Sequence, residues 1–130
     1  MNFLLDTHTL IWSMLSPGKL SIKVKNNIKQ YSSGVSVISL WEIALKYTIG
    51  KLNLQGVKPD ELLTYTIKTG FEVLDLQAET AATFYQLPKI QNKDPFDQLL
   101  AWQAIKGNFI LLSKDKGFDD YQSAGLNRIW

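Results

Sequence analysis

The chain has 130 residues, close to the length of one average domain, so a single domain spanning residues 1–130 is expected. Its 14 basic and 12 acidic residues give a formal net charge of +2, too small to indicate a nucleic-acid-binding protein by itself. The absence of cysteine excludes a disulfide framework, thiolate metal sites and cysteine nucleophiles. The single histidine, His8, excludes a zinc site built from several histidines.

No part of the sequence is apolar for long enough to suggest a membrane span. The longest uncharged runs, Thr7–Gly18 and Gln30–Trp41, have 12 residues each, whereas a spanning helix needs about 20. The first residues lack a basic region and reach an acid at Asp6, which does not resemble a secretory signal. With no cysteine present, these features predict a cytoplasmic protein without a membrane partner.

The first half of the chain alternates strand patterns with helix patterns. Asn2–Leu5 is a short apolar strand candidate, and His8–Leu15 reads as a helix that Pro17 and Gly18 end. Ser21 is a good N-cap for a second helix with an apolar stripe at Val24, Ile28 and Tyr31. A β-rich run then predicts a strand over Gly34–Ile38, and Ser39 is expected to open a helix that ends near Ile49, with Gly50 as the residue after it.

The second half continues the alternation. Helices are predicted over Pro59–Thr69, Gln77–Leu87 and Pro95–Lys106, and strands over Phe71–Leu76, Phe109–Leu112 and Asn127–Trp130. The last of these helices has the strongest signals, with Asp94 as N-cap, Pro95 in the first turn and Gly107 after the end. Strands that alternate with helices predict an α/β protein, a three-layer α/β/α sandwich around a mainly parallel sheet.

Four acids fall at junctions between the predicted elements. Asp6 ends the first strand, Glu42 and Asp97 lie in first turns of helices, and Asp115 follows the strand Phe109–Leu112. In an open parallel sheet the carboxyl ends of the strands and the following helix starts share one edge, where ligands bind. The four carboxylates are therefore expected to converge there.

A cluster of carboxylates needs cations, since like charges otherwise raise one another's pKa values. Oxygen ligands without cysteine select a hard cation, Mg²⁺ or Mn²⁺. The chemistry that suits such a site is hydrolysis of a phosphate ester, because a bound metal ion lowers the pKa of water and stabilises the developing oxyanion.

Several of these acids also have a purely structural interpretation. Ser39 and Glu42 have the spacing of a capping box, in which the glutamate bonds only to the helix start. Asp94 is a good N-cap, and an acid at Asp97, three residues later, favours the helix dipole. On local pattern alone these roles compete with catalysis.

The remaining polar residues near the predicted edge differ in how easily they are explained. Asp115 fits a turn, whereas Asp6, directly after an apolar strand, is hard to explain without a partner because a buried charge is costly. Thr7 and Ser113 lie beside these acids and could orient a metal ion or phosphate through their hydroxyls, or make local turn bonds instead.

Several segments together resemble the PIN-domain proteins, in particular the VapC-like toxins of toxin–antitoxin pairs. The resemblance extends over nearly the whole chain, in order and with similar spacing, and its segments are LLDTHTLIW (Leu4–Trp12), SVISLWEIALKYTIGKL (Ser36–Leu52), LPKIQNKDPFDQLLAWQA (Leu87–Ala104) and LLSKDKGFDDY (Leu111–Tyr121). The resemblance implies a Mg²⁺- or Mn²⁺-dependent endoribonuclease, a homodimer, and inhibition by a small antitoxin protein.

The resemblance also assigns roles to residues that match the family's motifs. Asp6 matches the first-strand aspartate, Glu42 the helix glutamate, Asp97 the aspartate that opens the helix, and Asp115 the late aspartate. Asp94 matches an accessory acid. On this basis Asp6, Asp97 and Asp115 are expected to hold the metal ion, with Glu42 as a further ligand or as the base that orients water.

Lysines near these acids are candidates for the RNA backbone, namely Lys46, Lys93, Lys114 and Lys116. The family's His-His or His-Arg pair before the aspartate motif is replaced by Gln91 and Asn92, so RNA or antitoxin contacts are expected to differ there. Removing the four site acids from the charge balance leaves 14 − 8 = +6 for the rest of the surface. Four lysines and no acid lie within residues 7–41.

Other functions compatible with the residues are a PIN-like protein that binds RNA or antitoxin without cleaving, and a receiver-like Mg²⁺-binding signalling module. The receiver needs a central-strand aspartate, for which Asp75 is the candidate, and a well-placed lysine that is not found. A metal-dependent phosphomonoesterase is a further alternative, although Asp6 is followed by Thr7 and His8 rather than by the usual second aspartate.

Overall fold

The computed structural model describes residues 2–90 and 94–130. Its strands are β1 (Phe3–Leu5), β2 (Ser33–Ser36), β3 (Glu72–Leu74), β4 (Ile110–Leu112) and β5 (Asn127–Ile129). Its α-helices are α1 (Thr7–Leu15), α2 (Ile22–Gln30), α3 (Val37–Thr48), α4 (Pro59–Thr69), α5 (Ala78–Ala82) and α6 (Pro95–Gly107). Short 3₁₀ helices cover Pro17–Lys19 and Phe84–Gln86, and a longer one covers Lys116–Ala124. Within these described ranges no helix is both long enough and apolar enough to cross a membrane.

All the strands of the described residues form one parallel sheet in the order β3-β2-β1-β4-β5. The central strand β1 pairs with β2 at Phe3 and Ser33, and with β4 at Leu4 and Leu111. This confirms the predicted α/β class. It excludes the receiver-like alternative, since receiver domains have the order 2-1-3-4-5 and do not place β1 beside β4.

The central strands are buried on both faces, and alternate residues enter two separate cores. Phe3, Leu5 and Leu112 pack with helices α1 to α4, whereas Leu4 and Leu111 pack with α6 and the 3₁₀ helix Lys116–Ala124. The period of two in a strand sends neighbouring side chains to opposite faces. The sheet is therefore covered on both sides, which confirms the three-layer α/β/α arrangement.

The start of α3 differs from the prediction. Ser36, not Ser39, is the N-cap, and its hydroxyl oxygen accepts a hydrogen bond from Ile38 N at 3.0 Å. The predicted strand Gly34–Ile38 consequently ends at Ser36. Valine and isoleucine favour strands locally, but a capping serine directly before them begins the helix three residues earlier.

The segment predicted as one helix over Gln77–Leu87 is shorter in the structure. Helix α5 ends at Ala82, and a 3₁₀ turn over Phe84–Gln86 follows. The hydroxyl of Thr83 donates to the carbonyl of Glu79 at 2.7 Å. Such bonds from threonine to the preceding turn weaken and bend helices, which accounts for the early end.

At the end of α6 the left-handed residue is Asn108, with φ of 55°, and not Gly107 as predicted. Gly107 is needed for a different reason. A Cβ atom at this position would lie 2.3 Å from the ring of Phe109, so only glycine lets that ring pack against the helix end. The 3₁₀ helix Lys116–Ala124 was not predicted at all.

Candidate active site at the carboxyl edge of the sheet

Asp6 leaves the central strand at the edge where the helices begin. It is the N-cap of α1, where its Oδ1 accepts a hydrogen bond from Thr9 N at 2.8 Å, and its Oδ2 accepts one from the Ser113 hydroxyl at 2.5 Å. Burial raises the pKa of Asp6, while the hydrogen bonds from Ser113 and Thr9 oppose that rise. The site thus contains a carboxyl group that is both desolvated and held in place.

Ser113 joins Asp6 to Asp115. The Ser113 side chain is fully buried. Its hydroxyl donates a hydrogen bond to Asp6 and accepts one from Asp115 N at 3.0 Å. Asp115 caps the 3₁₀ helix, with Oδ1 accepting from Gly117 N at 2.8 Å. The two aspartates line one open pocket of about 300 Å³, here termed the acidic pocket, together with His8, Trp12 and Lys114.

Glu42 lies in the second turn of α3 and is only 3% exposed. Its Oε1 accepts a hydrogen bond from the Thr7 hydroxyl at 2.6 Å, and its Oε2 is paired with Lys46 at 2.5 Å. The capping-box interpretation of Ser39 and Glu42 is therefore wrong, because the helix starts at Ser36 and Glu42 bonds to side chains instead. The hydroxyl oxygens of Ser39 and Thr7 are also within hydrogen-bond distance, 3.1 Å apart.

The carboxylates of α6 lie on the same side as Lys46. Asp94 is the N-cap, as predicted, and its Oδ1 accepts from Phe96 N at 2.9 Å and Asp97 N at 3.3 Å. The pKa of Lys46 is raised, first by its hydrogen bond to Glu42 and further by the negative charges of Asp94 and Asp97. Lys46 therefore sits among three acids and neutralises part of their charge.

The predicted site residues form two groups at this edge. Asp6, Ser113 and Asp115 make up one, and Glu42 with the α6 aspartates around Lys46 makes up the other. Thr7 connects the groups, since it follows Asp6 in the chain and donates to Glu42. Within residues 2–90 and 94–130, no three acidic or histidine side chains are close enough together to form a metal site.

The lysine candidates have different surroundings. Lys114 lines the acidic pocket, and Lys116 is exposed two residues further along. The ammonium group of Lys46 is already paired with Glu42, so it does not face an open position where a phosphate could bind. Lys93 lies outside the residues that the structure describes.

Arg128 supports the site in a way that the sequence did not predict. Its Nε and Nη2 donate to the two carboxylate oxygens of Asp119 at 2.8 and 3.0 Å, and its Nη1 donates to the Ser113 carbonyl at 2.9 Å. Asp119 is thus an ion-pair partner of Arg128. The only signal in the sequence was that Arg128 is the sole arginine, and planar, two-pronged pairing is what arginine does and lysine cannot.

The chain matches a known family over nearly its whole length. The PIN domain model matches residues 3–123, and the chain belongs to the PIN-domain family. PIN domains are typically nucleases that use divalent metal ions. No curated protein matches the chain.

Solved structures with the same fold include a toxin–antitoxin complex from Klebsiella pneumoniae. VapBC2 from Rickettsia felis, bound to a promoter DNA fragment, matches with a TM-score of 0.69 and 20% identity over 100% of this chain and 99% of that one. DNA-bound VapBC from Salmonella typhimurium matches with a TM-score of 0.68 and 19% identity over 99% and 97%. FitAcB from Neisseria gonorrhoeae matches with a TM-score of 0.64 and 20% identity over 98% and 96%. At these identities the likeness establishes the fold.

The donor set of the acidic pocket fits a hard divalent cation. Both carboxylates are oxygen donors, and the chain has no cysteine to favour a softer metal. Mg²⁺ commonly binds proteins through one or two carboxylates and completes its shell with water and substrate phosphate. A pair of aspartates that line an open pocket meets that requirement without a third acid beside them.

Proposed function

We propose that this protein is a Mg²⁺- or Mn²⁺-dependent endoribonuclease that acts as the toxin of a toxin–antitoxin pair. Its membership of the PIN-domain family supports the chemical class. The observation that carries the assignment is the acidic pocket, in which Ser113 links two aspartates from different strands at the open edge of the sheet. A serine with two such partners serves to position carboxylates.

Asp6 and Asp115 are the residues that would hold the metal ion in the acidic pocket. Asp97 belongs to the group around Lys46, and its role as a third ligand stays a prediction from the sequence. The bound ion would supply a water of lowered pKa and charge stabilisation at the phosphate. Ser113 and the α1 backbone hold Asp6 in one orientation. Glu42, fixed by Thr7 and Lys46, is proposed to orient a water or to serve as a further ligand, and Asp94, the cap of α6, is proposed as an accessory acid.

The substrate proposed is RNA, whose phosphates require cations near the carboxylates. Lys114 and Lys116 are proposed as backbone contacts because they lie at or next to the acidic pocket. Lys93 keeps this role as a prediction from its place in the sequence. Lys46 neutralises Glu42 and would have to leave it before meeting a phosphate.

The partners proposed are a cognate antitoxin and a second copy of the chain. A similar structure from Klebsiella pneumoniae is a toxin–antitoxin complex, and VapBC2 and VapBC were each solved bound to DNA. An exposed apolar stripe also runs along helix α3 to its C-cap, with Trp41 and Ile49 at 65% and 55% exposure. Such a stripe is typical of a protein–protein contact.

The test is cleavage of single-stranded RNA with Mg²⁺ or Mn²⁺, with EDTA, and with Asp6→Asn. Asparagine can still cap α1, so the substitution removes the charge rather than the helix start. We expect EDTA and Asp6→Asn each to reduce cleavage by at least about 100-fold, as loss of a metal ligand does. Asp60→Asn, at an exposed acid on α4, should cleave like the unaltered protein.

Cleavage that survives EDTA or Asp6→Asn would contradict the mechanism. RNA binding without any cleavage by the unaltered protein would favour the alternative, a PIN-like protein that binds RNA or antitoxin without catalysis.

A further inference from the structure

A second pocket adjoins the acidic pocket and has the opposite charge. It encloses about 480 Å³ and is termed the basic pocket; its lining residues are Lys23, Lys114, Lys116, Arg128, Ile129 and Trp130. Lys114 lines both pockets, so the two are continuous on the surface. The proposed active site therefore opens onto a cationic surface on one side.

The lysines of the basic pocket come from separate elements and are exposed. Lys23 lies on α2, Lys114 follows β4, and Lys116 begins the 3₁₀ helix. No acid lines the basic pocket among the described residues. Asp119 interacts electrostatically with Lys116, but its carboxylate is already paired with Arg128. Three ammonium groups thus remain to attract an anion.

Two tryptophan rings connect the pockets. Trp12 lines the acidic pocket and Trp130 the basic one, and the two rings pack edge to face with centroids 5.8 Å apart. The His8 ring continues the row, 5.7 Å from Trp12, and Lys19 lies over the Trp12 face. Both tryptophans are only partly buried, so ring surface remains for a ligand.

Lysines beside exposed aromatic rings are the combination that binds single-stranded nucleic acid, with phosphates on the cations and bases on the rings. We propose that single-stranded RNA bound at the acidic pocket continues across Trp12 and Trp130 into the basic pocket. The lysines there hold the phosphates beyond the cleavage site, and a base packs against the tryptophan pair. The RNA track rests on the proposed ribonuclease function and gives the substrate a path.

An acidic peptide is the other occupant that three lysines could attract. The tryptophan pair favours RNA, because a peptide carboxylate needs only the cations, whereas every base has a flat face that can stack on a ring. The RNA track also gives a role to part of the lysine-rich, acid-free segment of residues 7–41, to which Lys19 and Lys23 belong.

The test is equilibrium binding of a fluorescent 12-nucleotide single-stranded RNA, followed by anisotropy in EDTA so that no metal-dependent cleavage occurs. The double variant Lys23→Ala/Lys116→Ala is compared with Lys51→Ala/Lys68→Ala, which removes the same charge from exposed lysines outside the basic pocket. We expect at least about tenfold weaker binding for the first pair only. Its salt dependence should flatten by about 1.4 in log–log slope, because each phosphate contact with a single strand contributes about 0.7.

Trp130→Leu tests the base contact. Leucine keeps apolar packing against Trp12 but offers no ring, so RNA affinity should fall by roughly tenfold or more. Circular dichroism melting is run on every variant, and the lysine pairs decide the question if Trp130→Leu unfolds.

Equal weakening by the two lysine pairs overturns the proposal, since it would reflect net charge alone. So does unaltered RNA affinity in Lys23→Ala/Lys116→Ala, including the case in which that variant loses only binding of an oligoglutamate peptide. Failure of the ribonuclease proposal is recognised separately, by the cleavage assay with Asp6→Asn, which does not involve the basic pocket.

Discussion

Replacing Ser113 with alanine removes one hydroxyl from the point where the two site aspartates meet. In the native protein that hydroxyl donates a hydrogen bond to Asp6 and accepts one from Asp115 N. Ser113 itself is fully buried. Alanine leaves the Asp6 carboxylate buried with one hydrogen bond fewer. A hydrogen bond to a charged group contributes about 1.5–3 kcal/mol, so we expect Ser113→Ala to lower the free energy of unfolding by about 2–3 kcal/mol at neutral pH.

The destabilisation should depend on pH in a direction that the pKa of Asp6 determines. Burial raises this pKa above its usual value of 3.8, and the Ser113 hydrogen bond opposes the rise. Stability from a group with a raised pKa is fully present below the unfolded pKa and is lost as pH rises through the folded pKa. Ser113→Ala raises the folded pKa further, so more stability is lost on the way to neutrality. The effect of the substitution should thus be larger at pH 7.5 than at pH 4.5.

The assay is thermal and urea unfolding, followed by circular dichroism in EDTA at both pH values. A loss of 2–3 kcal/mol corresponds to a fall in Tm of roughly 6–15 °C for a domain of this size. Ser123→Ala, at an exposed serine of the 3₁₀ helix Lys116–Ala124, is the matched control and should change Tm little. An effect of Ser113→Ala that is the same at both pH values, or no larger than that of the control, would refute the reasoning.

Two further substitutions test the groups around the site. Lys46→Met leaves the buried Glu42 without its counter-ion, so the free energy of unfolding of the metal-free protein should fall by about 1–3 kcal/mol. Mn²⁺ should then raise the Tm of this variant by more than it raises that of the unaltered protein. An equal or smaller effect of Mn²⁺ would contradict this expectation. Arg128→Met removes the two-pronged pair with Asp119 and the bond to the Ser113 carbonyl, for a loss of about 2 kcal/mol in urea unfolding. Arg128→Lys should recover less than half of that loss, and full recovery would show that charge alone suffices.

Elements with local start and stop signals were predicted most accurately from the sequence. Helix α4 has the predicted bounds, Pro59–Thr69, because Pro59 suits a first helical turn and Gly70 takes the left-handed conformation after the last. Asp94 caps α6 as predicted. By contrast, the 3₁₀ helix Lys116–Ala124 was not predicted, because only two apolar aromatic side chains, Phe118 and Tyr121, mark its buried face, and they are fixed by packing in the core that contains α6.

The candidate site was likewise predicted only in part from the sequence. The sequence indicated which carboxylates lie at the carboxyl edge, since parallel strands and the helices that follow them all meet there. It could not tell capping from catalysis at Glu42, because the capping-box spacing of Ser39 and Glu42 is a real local pattern. Only the N-cap at Ser36 removed that interpretation.

From its residues alone, this chain determines an α/β sandwich, a PIN-like motif order and an acidic edge, because hydrophobic period, caps and motif spacing are local properties of the sequence. Tertiary structure decided the connections within that edge. Ser113 reaches Asp6 across 107 residues, and Thr7 reaches Glu42 across 35. It also brought the lysines of α2 and the 3₁₀ helix to one pocket beside Trp130. Such contacts depend on strand order and helix packing, which bring residues distant in sequence within hydrogen-bond distance. Local sequence patterns therefore cannot predict them.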